Sequence, residues 1–126
     1  MSDQTPPQLP ADRRHAPRHM PAFGTVCRIH PDTPEEVEAL VWNLSANGVS
    51  MLLPCAPAAG DVLAAELVSE PLAARVPVLM RVLRVRPSRG GDHLVAATFL
   101  RRLTAAELEP FVTPVGEHLF PAEVEV

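Results

Sequence analysis

The chain contains no lysine and no tyrosine, and it has only two cysteines and five aromatic residues. No apolar run approaches the ~20 residues a membrane helix needs, so no membrane insertion is expected. Residues 1–22 are polar, Pro-rich and Arg-bearing, without the apolar stretch of a secretory signal. A soluble, cytoplasmic protein is the expectation. Scarce aromatics (Phe23, Trp42, Phe99, Phe111, Phe120) argue against a platform that reads single-stranded nucleic acid by stacking. Cys27 and Cys55 fit no metal spacing, and both are expected to be reduced, buried, small hydrophobes.

What is present fits one domain. The chain has 126 residues, of which 47% are hydrophobic. Every basic side chain besides histidine is arginine, eleven in all. The net charge of −4 opposes general nucleic-acid binding. Its distribution is uneven: residues 1–12 carry −2, residues 13–30 carry +4 with no acid, and residues 31–126 carry −6. The positive charge is therefore a local patch on an acidic protein.

Residues 1–12 read as a disordered leader with too little apolar content to order. Residues 13–20 (RRHAPRHM) form a basic loop that Pro17 and Pro21 keep out of helix. Period-two patterning follows. Ala22–Ile29 sets Phe23, Thr25, Cys27 and Ile29 on one face, and Val37–Leu44 sets Leu40, Trp42 and Leu44 on one face, with Trp42 in the core. Asn47-Gly48 is a turn signal, and Val49, Met51 and Leu53 share a face after it. Asp61–Ser69 reads as a strand, with helix as the alternative. Arg75–Arg86 points Val76, Val78, Met80 and Val82 inward and slips near Leu83, which predicts a bulge. Pro87–Asp92 is a hairpin turn, and His93–Leu100 is the last strand. Thr104-Ala-Ala-Glu107 matches a capping box, with Leu103 and Leu108 placed as a hydrophobic staple. Leu108, Phe111 and Val112 continue at helical spacing until Pro114 ends the element, and an acidic tail (residues 114–126) follows. Six short strands with regular turns predict an antiparallel barrel or sandwich, its one helix covering an open end.

Two segments carry chemistry. Arg14 and Arg18 lie four apart in a loop, with Arg13 just before them. A guanidinium can fork onto phosphate oxygens or onto O6 and N7 of guanine, and its flat face can stack on a base. The bland alternative is a solvated basic loop. The second segment is Asn43-Leu-Ser-Ala-Asn-Gly48. Asn43 offers an amide, Ser45 a hydroxyl, and Gly48 permits positive φ and close backbone approach. Here the alternative is a hairpin in which Asn43 and Ser45 merely satisfy the turn backbone.

Together the two segments resemble the signature of the PilZ domain family. That signature is Arg-x-x-x-Arg before the first strand, then Asp/Asn-x-Ser-x-x-Gly between the second and third. The matching positions here are Arg14, Arg18, Asn43, Ser45 and Gly48. The resemblance covers residues 13–113. It implies a six-stranded antiparallel β-barrel with one C-terminal helix that binds cyclic di-GMP, a bacterial second messenger. It further implies that Arg14 and Arg18 grip phosphates and guanine edges, that Asn43 and Ser45 line a guanine, and that Gly48 lets the strand turn close by. Arg13 stands where the family influences whether one ligand or an intercalated pair binds, and it could stack on a second guanine. Asn43 replaces the Asp of many members and accepts guanine N–H bonds more weakly than a carboxylate would.

The expected protein is thus a small stand-alone cyclic di-GMP receptor. Ordering of its N-terminal Arg loop would relay ligand level to an unidentified downstream protein. A PilZ-fold adaptor that binds proteins but no nucleotide is the alternative. Catalysis is unsupported, because no nucleophile–base pair exists and Glu35, Glu36 and Glu38 pair with nothing reactive. No cofactor or metal is expected: His15 and His19 lack further ligands at a recognisable spacing. His93, His118, Arg84, Arg86, Arg101 and Arg102 read as solvated residues.

Overall fold

Alternating apolar and polar residues can bury one face only if a sheet packs against something, and a sheet closed on itself does so without leaving edges. The protein, seen in a computed structural model that describes residues 17–113, takes that solution. Its strands are β1 (Thr25–Ile29), β2 (Val37–Leu44), β3 (Gly48–Leu53), β4 (Val62–Ser69), β5 (Ala74–Pro87) and β6 (His93–Phe99). They close into a barrel in the order β1-β2-β3-β6-β5-β4, with every neighbouring pair antiparallel. Asp61–Ser69 is therefore strand from Val62 onward, not helix.

The barrel interior is filled by Cys27, Val41, Met51, Leu67, Met80, Val82 and Val95, among others. A short helix, α1 (Ala105–Leu108), runs on as a 3-10 turn over Glu109–Phe111. The capping box is present in full: Thr104 Oγ1 accepts from the Glu107 amide, and a Glu107 carboxylate oxygen accepts from the Thr104 amide. Leu103, Leu108 and Phe111 join the core, so the helix closes one barrel end. The Leu103 amide donates to the Ala46 carbonyl of the β2–β3 turn, and Thr25 Oγ1 donates to the Phe111 carbonyl.

Four sequence expectations are corrected. First, β1 begins at Thr25 rather than Ala22, because Gly24 takes φ +85° against Pro71 and turns the chain. Phe23 then lies outside the strand and is 94% exposed. Second, β2 buries Ala39, Val41 and Leu44, while Leu40 and Trp42 face outward, Trp42 at 60% exposure. The register shifts between Val41 and Asn43, so two consecutive residues share the outer side and the alternation resumes one position late. Third, Cys27 is buried but Cys55 is exposed. Fourth, the helical run is over at Phe111, before Pro114: Pro110 cannot donate a backbone bond, and the last turn tightens to 3-10 around it. The bulge predicted near Leu83 is present, between Val82 and Arg84.

Candidate functional site

The site lies at the helix-capped end, where β2 leaves the barrel. Because of the β2 bulge, Asn43 follows Trp42 on the outer side and only Leu44 returns to the core. A regular strand would have pointed Asn43 inward after Val41. The bulge is thus the local cause of an outward amide.

Residues 17–21 run beside this point. The His19 amide donates to the Leu44 carbonyl at 2.8 Å, and the Leu44 amide donates back to the His19 carbonyl at 3.1 Å. Pro21 bridges to Val112, and the Thr113 amide donates to the Met20 carbonyl at 3.0 Å. The segment is therefore held between the end of β2 and the chain that follows the helix. Its anchoring puts Arg18 against the second motif: Arg18 Nη1 donates to Asn43 Oδ1 at 2.8 Å. The two sequence motifs, twenty-five residues apart, meet through that bond. A guanidinium carries five donors in a flat fork, and this bond takes one of them.

Ser45 and Gly48 build the turn. Ser45 is 5% exposed. Its Oγ accepts from the Asn47 amide at 3.1 Å and the Gly48 amide at 3.2 Å, and its own amide donates to the Gly48 carbonyl at 2.9 Å. This is the backbone-satisfying role weighed in the sequence for both polar residues. Ser45 fills it, whereas Asn43 meets the arginine instead. Gly48 is not among the positive-φ residues. A Cβ there would overlap the Ala97 carbonyl oxygen, so glycine is required by the close approach of β3 to β6. Asn47 ties the turn outward: its carbonyl accepts from the Phe99 amide and Thr98 Oγ1, and its side-chain oxygen accepts from Arg102 Nη1.

Arg13, Arg14 and His15 lie outside the described residues, as does His118. Arg84 and Arg86 are exposed on β5. Arg101, read as solvated, makes a two-pronged pair with Glu107 at 3.0 and 2.9 Å. Sequence reasoning missed the outward Trp42 and the Arg102–Asn47 bond. Only the wide spacing of Val41 and Leu44 in the apolar pattern hints at the first. No group of three or more metal-ligating side chains occurs among the described residues. None of their helices is long and apolar enough to cross a membrane.

Comparison with known proteins supplies the family. The PilZ domain profile matches residues 12–113. A search of curated proteins finds no match. Among solved structures, the PilZ domain with c-di-GMP of YcgR from Escherichia coli is similar, at 16% identity and TM-score 0.56. The match covers 88% of this chain and 92% of that one. The Bacillus subtilis inhibitor of motility (MotI/DgrA) aligns at 14% identity and TM-score 0.60, over 83% of this chain and 52% of that one. The MrkH–c-di-GMP complex of K. pneumonia aligns at 14% identity and TM-score 0.58, over 86% of this chain and 50% of that one. The chain spans about half the length of MotI and MrkH. At such identities these likenesses establish the barrel alone. The profile match takes in both motifs, the closed barrel and the capping helix, and on that ground the chain belongs to the PilZ domain family.

Proposed function

We propose that the protein is a receptor for cyclic di-GMP, with residues 13–113 as the receptor domain. The observation that carries this reading is the hydrogen bond from Arg18 to Asn43, which unites the basic loop with the polar hairpin. Family membership supports it, as do two similar proteins, YcgR and MrkH, whose structures include c-di-GMP. The ligand brings two phosphate charges and two guanines. Arg14 and Arg18 fork onto phosphate oxygens and guanine edges, and Arg13 stacks on a second base. Asn43 meets a guanine edge once Arg18 turns to the ligand. Ser45 and Gly48 serve by holding the turn that presents Asn43.

On this reading the protein is a cytoplasmic receptor and not an enzyme. Ligand draws the N-terminal arginines onto the barrel, and the altered surface is read by a partner protein. Calorimetric titration tests it. The parent chain should release or absorb heat saturably, and Arg14→Ala and Arg18→Ala should each weaken binding by about 10-fold or more, the worth of a lost charge-assisted bond. No heat in the parent, or equal binding by both variants, overturns the proposal.

A further inference from the structure

The two β-bulges fall in one row of the barrel. Asn43 pairs with Ser50, Ser50 with Ala96, and Ala96 with Arg84, across four adjacent strands. At each end of the row the bulge turns two consecutive side chains away from the core: Trp42 and Asn43 on β2, Leu83 and Arg84 on β5. Between them stand only the small side chains of Ser50 and Ala96. With strands ~4.8 Å apart, the two rims are roughly 14 Å apart along the sheet. The outer surface here is a low floor of small residues between raised edges. The neighbouring row, Leu40–Leu52–Leu94, is apolar. An indole exposed on this surface costs free energy that its burial in a core would recover. Its neighbour Asn43 is the residue that Arg18 already holds.

Resting on the receptor reading, we propose that Trp42 is the stacking platform for one guanine of the bound cyclic di-GMP. Asn43 and Arg18 address the polar edge of the base, and the adjacent indole covers its face. A purine laid on Trp42 over the Ser50–Ala96 floor removes apolar surface of both partners from water. It also lets two flat π-faces meet in offset contact, the geometry aromatic pairs favour. The bulge is what makes this possible, since it sends a residue and its immediate successor to the same side of the strand.

Trp42 is the sole tryptophan and the chain has no tyrosine, so intrinsic emission reports this indole alone. The full chain is titrated with cyclic di-GMP, with emission and heat followed in parallel. Expected are saturable quenching at the calorimetric midpoint and binding by Trp42→Ala weakened about 5- to 150-fold, with Trp42→Phe closer to the parent. Circular dichroism checks that Trp42→Ala keeps the barrel. Heat with unmoved emission, or a folded Trp42→Ala chain that binds as tightly as the parent, overturns the stacking and leaves the receptor reading standing. No heat in the parent overturns both.

Discussion

A methyl group on Gly48 has nowhere to go, because the obstacle is the Ala97 carbonyl oxygen, part of the neighbouring strand's backbone. A flexible side chain could move aside, but a paired strand cannot do so without breaking its ladder. Gly48→Ala is therefore expected to destabilise the fold by about 1–3 kcal/mol, the range for forced overpacking. The urea midpoint reads this directly, and an unchanged midpoint would show that β3 and β6 can separate cheaply. The two thiols give a second residue-level test. Burial pushes the Cys27 thiol up to about 12, while Cys55 is exposed. Because the thiolate is the reactive species, a thiol reagent should label Cys55 rapidly in the native protein and Cys27 only after unfolding. Rapid labelling of both would mean the barrel opens near β1. Arg18, Asn43, Ser45 and Gly48 were legible because their types and spacing survive any placement of the strands. The outward aim of Trp42 was not, because a large aromatic in an alternating run reads as core until the bulge is known.

At the scale of elements, strands whose alternation runs unbroken were legible. β3 buries Val49, Met51 and Leu53 as the pattern implies. β2 failed at Leu40 and Trp42, the two expected core residues before its bulge, since an inserted position breaks the phase between the two halves of the strand and leaves composition untouched. The capped helix was legible at its start, where chemistry is local, and less so at its end. Its cap predicts an acid response. Arg101 donates two bonds to Glu107 and the Thr104 amide adds another, holding that carboxyl at about 2 against an ordinary 4.5. A depressed folded value means the unfolded chain binds more protons as pH falls. The contribution is fully present above pH 4.5 and is lost as pH drops toward about 2. Urea midpoints measured through that window should fall with acid, and Glu107→Gln should flatten the fall. An identical slope in the variant would show that the pair does not persist in solution. At neutral pH, Thr104→Ala should cost about 1 kcal/mol through loss of the N-cap.

For the whole molecule, the barrel and the site are coupled through the same few residues. The segment bearing Arg18 is pinned to Leu44 at the end of β2 and to Val112 beyond the helix. The β2–β3 turn is in turn tied to the helix approach through Ala46 and Leu103. A ligand that grips Arg18 and Asn43 therefore holds closed the end of the barrel where the chain's first and last described segments meet. Binding to the folded chain alone raises stability by RT ln(1 + [L]/Kd), about 2.7 kcal/mol at a hundredfold excess over Kd. For a domain near 100 residues, each kcal/mol moves the midpoint by roughly 4–8 °C. Cyclic di-GMP at that excess should thus raise the thermal midpoint by about 10–20 °C. Arg18 is exposed, and its single bond to Asn43 is worth little to the unliganded fold. Arg18→Ala should accordingly melt near the parent without ligand and lose most of the ligand-induced shift. A variant that melts far below the parent on its own would make Arg18 a structural clasp, and a full shift retained in the variant would remove it from the binding site.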